Sequence, residues 1–252
     1  MIRQAVTDGL EAREIDHDPH FQWRGRNVTR IENLSDIVFA LALGMLVSAS
    51  SPPIDFTDLK FHLLGIIPVT AGFAILLLVW NMHFVYFRRY GLGDRTTIFL
   101  NAILLLLILF IAYPLRFIFD ALFSYILIAF GHTARIEALG IFDTMMAGEL
   151  MRYYAIGYAL IFAVYALMYR HALKRADEIG LSTKERMLTA LSVQVFIMQI
   201  IIASAVAILA AMPPLWVWAS FLFFFNWPAG YGLRWLYHRK LRKLEQAEGA
   251  TG

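Results

Sequence analysis

Polar side chains inside the apolar stretches of this chain are the residues that could do chemistry. They are Ser35 and Asp36 at the start of the first stretch, Trp80 and His83 late in the second, and Asn101 early in the third. Within lipid, a carboxylate, an imidazole or an amide needs a partner in protein or water. If these stretches cross a bilayer, Asp36, His83 and Asn101 lie at similar depth. We expect a structural network there, and the alternative is a proton or ion relay.

The sequence lacks the residue patterns of common catalytic sites. It has no cysteine, no HExxH metal motif, no glycine-rich phosphate loop and no serine placed for a catalytic triad. The acidic residues and histidines of the first 30 positions match no metal-ligand spacing, so we interpret them as a solvated tail. Basic residues occur at the ends of apolar stretches and not in one patch. We therefore predict no enzyme, no cofactor and no nucleic-acid partner.

The composition indicates an integral membrane protein. The chain has 252 residues, of which 60% are hydrophobic, and its mean hydropathy is +0.62. Soluble domains are about 45–50% apolar. Residues 1–30 are polar and lack the apolar segment of a cleaved signal peptide. We therefore expect the lipid bilayer to be the main surroundings of this chain.

The apolar stretches predict six transmembrane helices and an all-α fold, because a helical crossing needs about 20 residues. The predicted spans cover residues 31–50, 63–87, 96–130, 151–169, 187–212 and 215–237. Since proline cannot continue a helix, we expect the Pro52-Pro53 pair to end the first span and Pro114 to kink or end the third. Residues 51–62 and 131–150 are predicted loops.

Lysine and arginine indicate the orientation of these spans. They gather before the first span, between the second and third, between the fourth and fifth, and after the sixth. The exceptions are Lys60, Arg116, Arg135 and Arg152. Cytoplasmic loops carry the excess of positive charge, so this pattern predicts that both termini are cytoplasmic. We expect tails at residues 1–29 and 239–252 around a transmembrane domain at 30–238.

The first span carries two stripes of interest. Ala40, Gly44 and Ser48 recur every four residues and would let another backbone approach closely. Leu41, Met45 and Ser48 form an adjoining stripe. If several copies of this helix surrounded a pore, Leu41 and Met45 would form apolar rings, and such rings gate by dewetting. The alternative is that both stripes serve only for packing.

These residues resemble the signature of the transmembrane protein 175 family of potassium channels, found in lysosomes and in bacteria. That signature has an arginine, three residues, then Phe-Ser-Asp at the start of the first helix. A Trp-x-x-His-x-x-x-Phe pattern follows in the second, and the third has an early asparagine and a late proline. The corresponding residues here are Arg30, Leu34, Ser35, Asp36, Trp80, His83, Phe87, Asn101 and Pro114. The resemblance covers three of the six predicted spans.

The resemblance implies a homotetramer, since a bacterial member has one six-helix repeat per subunit. The first helix of each subunit would line the pore, without the usual carbonyl selectivity filter. The family's constriction would fall on Leu41, Met45 and Ser48. A support network behind it would comprise Arg30, Ser35, Asp36, Trp80, His83 and Asn101.

These implications predict a potassium-permeable cation channel in a bacterial cytoplasmic membrane. The chain has Gly44 where the family commonly has threonine, and Ser48 where a bulky apolar residue is common. Selectivity would rest on pore width and partial dehydration of the ion, so we expect it to be modest. Two alternatives stay open. One is a secondary transporter coupled to protons through Asp36 and His83, and the other is a non-conducting structural membrane protein.

Overall fold

The described residues of the chain fold into helices. The computed structural model describes residues 21–25, 27–48, 54–128, 130–131, 144–212, 215–226, 228–233, 235–237 and 239, and no strand occurs among them. The helices are α1 (Arg30–Ser48), α2 (Phe56–Leu64), α3 (Ile66–Tyr90), α4 (Arg95–Ile128), α5 (Thr144–Lys174), α6 (Thr183–Ala210) and α7 (Trp216–Ala219), followed by a 3-10 helix at Ser220–Phe225.

Five helical segments are long and apolar enough to cross a membrane. They are Arg30–Ser48, His62–Tyr90, Arg95–Ile128, Gly148–Lys174 and Thr183–Ala210. The all-α prediction is thereby confirmed for the described residues, and five of the predicted spans coincide with helices long and apolar enough to cross a membrane. The described part of the sixth predicted span begins with α7 and then tightens into the 3-10 helix. Pro228 has no N–H to continue an α-helical ladder there. Six spans therefore stay a prediction.

Two predicted loop boundaries were wrong, and of the two outcomes predicted at Pro114 the structure excludes an end of the helix. Part of the loop predicted at 51–62 is the short helix α2, and α5 begins at Thr144, inside the loop predicted at 131–150. α4 passes through Pro114 without ending. A transmembrane helix tolerates one proline because its other backbone N–H and C=O groups have no hydrogen-bond partners in lipid and so stay paired within the helix.

α4 occupies the middle of the fold and contacts α1, α3 and α5, while α5 packs along α6. Leu104, Ile108 and Ala112 of α4 are fully buried. Aromatic side chains fill the space between α3, α5 and α6: Tyr169 lies 5.4 Å from Tyr86 and 5.0 Å from Phe196, measured between ring centroids. α1 therefore rests against a well-packed support.

Candidate functional site

The start of α1 is fixed by a capping box and a buried ion pair. The Thr29 amide donates to Glu32 Oε1 at 2.9 Å, and the Glu32 amide donates to Thr29 Oγ1 at 3.3 Å. Glu32 Oε2 accepts a hydrogen bond from Arg88 Nη2 of α3 at 2.9 Å. Both charged residues are buried. A buried pair of this kind is costly to break, so it fixes the N-terminal end of α1 against α3.

Glu32 and Arg88 were not among the predicted site residues. One signal was in the sequence, because Thr29-x-x-Glu32 before an apolar run is a capping-box pattern. Arg88, by contrast, reads as an ordinary arginine at the end of a span. Its guanidinium also donates to the carbonyl oxygen of Gly25, so it fastens the segment before α1 to α3.

One face of α1 is buried against its neighbours. Ser35, Phe39, Ala42 and Leu46 recur every three or four residues and are all buried. The Phe39 ring meets the His83 ring edge-on, with centroids 5.6 Å apart. This periodicity sets the rotation of α1 about its own axis, since one helical face must fit the groove between α3 and α4.

Three of the predicted site residues form a buried hydrogen-bonded chain that joins three helices. Asn101 Nδ2 of α4 donates to Ser35 Oγ of α1 at 3.0 Å, and Ser35 Oγ donates to its own helix at Ile31 O. Asn101 Oδ1 lies 2.9 Å from His83 Nε2 of α3. Because Asn101 Oδ1 can only accept, His83 carries a proton on Nε2. Each of these three buried side chains therefore has at least one hydrogen-bond partner.

Asp36 pairs with Trp80 and not with His83. Trp80 Nε1 donates to Asp36 Oδ1 at 2.8 Å. The expectation that His83 would join Asp36 to Asn101 therefore holds for Asn101 alone. Consecutive residues of a helix are turned by about 100°, so Ser35 points into the core while Asp36 lies on the flank of α1.

Arg30 stands apart from these contacts. It is exposed, and with Leu34 and Ala102 it borders a crevice between the start of α1 and α4. The structure thus brings together Ser35, His83 and Asn101 in one group and the Asp36 and Trp80 side chains in another. What these contacts do for function stays a prediction.

The opposite face of α1 is apolar and uncovered in this protomer. Leu34, Ile37 and Leu41 are 55%, 65% and 54% exposed, and the exposed residues Gly44 and Ser48 continue the same stripe. A Cβ atom added at Gly44 would meet no atom within 4 Å. In a membrane protein such a stripe has three possible neighbours, which are lipid, another subunit or a pore.

The three predicted constriction residues lie on or beside this uncovered face. Leu41 and Ser48 belong to it, and Met45 is half-buried at its edge. The group is therefore available to other copies of the chain. Among the described residues, no cluster of three or more His, Asp or Glu side chains could hold a metal ion.

Comparisons with known proteins agree on one family. The profile described as "Endosomal/lysosomal potassium channel TMEM175" matches residues 30–112. A protein of Marivirga tractuosa named "Potassium channel" is 35% identical over 175 residues, which are 67% of this chain and 68% of that protein.

Two solved structures are similar as well. A crystal structure of a variant of the potassium channel MtTMEM175, bound to a nanobody fusion protein, is 31% identical. Its TM-score is 0.78, and the match covers 90% of this chain and 99% of that one. A structure of a TMEM175 homolog from Chamaesiphon minutus is 22% identical with a TM-score of 0.43, and the match covers 78% of this chain and 96% of that one.

Proposed function

This chain belongs to the TMEM175 family of potassium channels, and from that premise we propose that it forms a homotetrameric cation channel lined by α1. The observation that carries the proposal is the division of α1 into two faces. One face is packed against α3 and α4, while Leu41 and Ser48 lie exposed on the other. One helix per subunit cannot enclose a pore, so a pore lined by this face needs further copies of the chain. Four copies follow from the single repeat that this chain shares with bacterial members.

Rings of Leu41 and Met45 form the constriction in this proposal, and a ring of Ser48 lies one turn further out. The apolar rings dehydrate an ion or exclude water altogether, and the serine hydroxyls offer oxygen ligands to a partly hydrated potassium ion. Selectivity then arises from pore width and dehydration and needs no carbonyl filter.

The contacts behind α1 serve as its support. Asn101 and His83 hold the buried side of α1 through Ser35, and Trp80 holds its flank through Asp36. Arg30, at the cytoplasmic end, is close to the neighbouring subunit. Fixed rotation of α1 matters because a turn of one residue would move Leu41 out of the pore wall.

The membrane arrangement completes the proposal. Residues 215–237 form the sixth span, and the tails at 1–29 and 239–252 lie in the bacterial cytoplasm on either side of the transmembrane domain at 30–238. The distribution of lysine and arginine supports this orientation. Potassium ions and lipid are then the partners besides the other subunits.

Recordings from purified protein in planar bilayers test the proposal. Under a potassium/sodium gradient we expect discrete ohmic single-channel steps. The reversal potential should be shifted from zero toward the equilibrium potential of potassium. Native mass spectrometry of the same sample should give a tetramer. A monomer that conducts would contradict the assembly, and flux that saturates with substrate without channel steps would indicate a transporter.

A further inference from the structure

α1 is also attached to α4 near its outer end, through a buried pair of charges. Arg116 and Asp120 lie one turn apart on α4, and both are buried. Arg116 lies about 32 Å along the helix from Arg95, at 1.5 Å per residue, and the hydrocarbon core of a bilayer is about 30 Å thick. In the proposed orientation, the pair therefore lies at the outer boundary of the membrane.

The Arg116 guanidinium lies between a carboxylate and the last turn of α1. Arg116 Nε donates to Asp120 Oδ2 at 2.8 Å. Arg116 Nη1 donates to the Leu46 carbonyl oxygen at 2.9 Å, and the Val47 carbonyl oxygen is 3.5 Å away. Because Nε and Nη1 point in different directions, one side chain connects α4 to the end of α1.

The end of α1 creates the need for this contact. The last four carbonyl groups of a helix have no partner within it and carry partial negative charge. In or near lipid, each such group costs several kcal/mol if it stays without a partner. The described part of α1 extends to Ser48, so the Leu46 and Val47 carbonyls lie in its last described turn, shortly before Pro52 and Pro53, which have no N–H to continue a helix. A guanidinium satisfies them and interacts favourably with the negative end of the helix.

Two polar attachments thus fix α1 to α4, one near each end. At the inner end, Asn101 donates to Ser35. At the outer end, Arg116 donates to Leu46. Between them the contact is apolar and includes the fully buried Ala42 and Ile108. Apolar packing alone permits small rotations and sliding, whereas directional hydrogen bonds at both ends oppose them.

We propose that Arg116 is a positioning residue of the pore. It holds the last turn of α1 so that Ser48 faces the ion path and Leu46 faces the core. Asp120 offsets the charge of Arg116, so that the outer mouth does not repel cations. This inference rests on the proposed function, in which α1 lines the pore.

The absence of cysteine from the whole sequence makes the test clean, because one introduced cysteine is the only thiol. Ser48→Cys and Leu46→Cys would each be placed in reconstituted protein and treated from outside with a positively charged methanethiosulfonate reagent. The rate of labelling would be followed by mass and by loss of current. With Arg116 present, Ser48→Cys should react much faster than Leu46→Cys, which lies in the core.

Replacing Arg116 should reduce this difference. With Arg116→Leu, the ratio of the two labelling rates should fall about tenfold, the size of effect expected from losing a hydrogen bond to a charged group. Arg116→Lys should give an intermediate ratio, because it keeps the charge and loses the forked geometry. Arg152→Leu is the matched control. Its guanidinium lies over the Tyr153 ring of α5, and the ratio should equal that of the parent.

A second variant separates charge from position. Asp120→Asn keeps an oxygen acceptor for Arg116 Nε but removes the offsetting charge. Measured with a neutral reagent, the ratio of Ser48→Cys to Leu46→Cys labelling should be unchanged. Asp120→Asn should also slow the cationic reagent at Ser48→Cys several-fold relative to a neutral one and reduce inward potassium current.

The outcomes distinguish the two proposals. If labelling of Ser48→Cys, with Arg116 present, leaves the current through that channel unchanged, α1 does not line the pore and the proposed function fails. If labelling blocks that current, but Arg116→Leu and Arg116→Lys leave the ratio of the two labelling rates unchanged, only the role of Arg116 is wrong. Should Arg116→Leu fail to assemble, Arg116→Lys and Asp120→Asn decide. A parent-like labelling ratio in Arg116→Lys, together with parent-like labelling by the cationic reagent in Asp120→Asn, would overturn the inference.

Discussion

Ser35 and Asn101 join α1 to α4 near the N-terminal end of α1. Their hydrogen bond is 3.0 Å long. Ser35→Ala removes the acceptor of Asn101 Nδ2 and leaves a buried amide donor unsatisfied, which should cost about 1–3 kcal/mol. Melting temperature of the assembled protein is the measurement.

Ser192→Ala is the control for that change. The Ser192 hydroxyl donates to the Leu188 carbonyl of its own helix at 3.0 Å, so its loss leaves no donor on another helix unsatisfied. We expect parent-like stability for this variant. Equal losses for Ser35→Ala and Ser192→Ala would mean that the contact with Asn101 contributes nothing beyond the helix itself.

Trp80 and Asp36 give a second prediction at this scale. Trp80→Phe keeps an aromatic ring next to Phe84, with which Trp80 stacks at a centroid distance of 5.8 Å. It removes the N–H that donates to Asp36. Hydrogen bonds to charged groups contribute about 1.5–3 kcal/mol, and less where water competes as it does beside the exposed Asp36. We expect reduced tetramer stability in detergent with an unchanged reversal potential.

A shifted reversal potential in intact Trp80→Phe tetramers would contradict this assignment. It would mean that Asp36 faces the permeating ion when its partner is removed. Asp36→Asn separates the two readings, because it keeps an acceptor for Trp80 and removes the charge. If Asp36 only supports α1, Asn at this position should conduct and select like the parent.

At the scale of elements, Asp94 links the start of α4 to the end of α5. Asp94 Oδ1 accepts from the Thr97 hydroxyl at 2.5 Å, and Asp94 Oδ2 lies 2.8 Å from His171 Nε2. Arg175 is a further cation 3.5 Å away. Partial burial raises the pKa of Asp94, but the hydrogen bonds from Thr97 and His171 lower it by more, so the pKa is below its usual value.

This direction predicts how stability depends on pH. Because the folded-state pKa is depressed, the carboxylate stabilises the fold above the unfolded pKa of about 3.9 and loses this effect as the pH falls through the folded value. Asp94→Asn should therefore lower the melting temperature at pH 7, through a charge at a helix start worth about 0.3–1 kcal/mol. The difference in melting temperature between Asp94→Asn and the parent should become smaller at acidic pH.

Asp177→Asn is the matched control for the same substitution. The Asp177 side chain is 89% exposed, although it contacts Arg186, so its charge should contribute little. A difference in melting temperature between Asp94→Asn and the parent that is equally large at pH 3 and pH 7 would contradict the stabilising role of the Asp94 carboxylate. So would equal effects of the two variants at neutral pH.

Hydropathy predicted the helices well, and it could not predict how they turn toward one another. Five spans were foreseen because lipid demands long apolar helices. The helix α2 and the start of α5 at Thr144 were missed, since they depend on local and tertiary context. The similar depth of His83 and Asn101 along their spans correctly predicted that the two side chains meet. The pairing of Asp36 with Trp80 depends on the rotation of α1, which only packing sets.

Long side chains were the other source of error. Arg88 lies where arginine usually ends a span, whereas Arg116 lies inside the predicted third span, and both side chains reach across to α1. The spacing of Arg116 and Asp120 by four residues was visible in the sequence as a helical ion pair. The second contact of Arg116, with the Leu46 carbonyl, depends on how α1 packs against α4, which is a property of the folded chain.

For the whole molecule, the orientation in the membrane gives a further prediction. The distribution of lysine and arginine predicts that both termini lie in the cytoplasm and that the loop between α4 and α5 lies outside. Reporter fusions at Gly252 and within that loop should therefore give opposite sides. The same side for both fusions would contradict the six-span arrangement, because an odd number of crossings must separate the loop from the C-terminus.

The central claim is that the uncovered face of α1 is the wall of the ion path. Single-channel recording of Leu41→Ala under a potassium/sodium gradient tests it most directly. Leu106→Ala makes the same change at another exposed leucine, on α4. We predict that Leu41→Ala raises conductance and weakens the potassium preference, because a smaller apolar ring admits more water, while Leu106→Ala matches the parent. A Leu41→Ala tetramer that conducts and selects like the parent would contradict the claim.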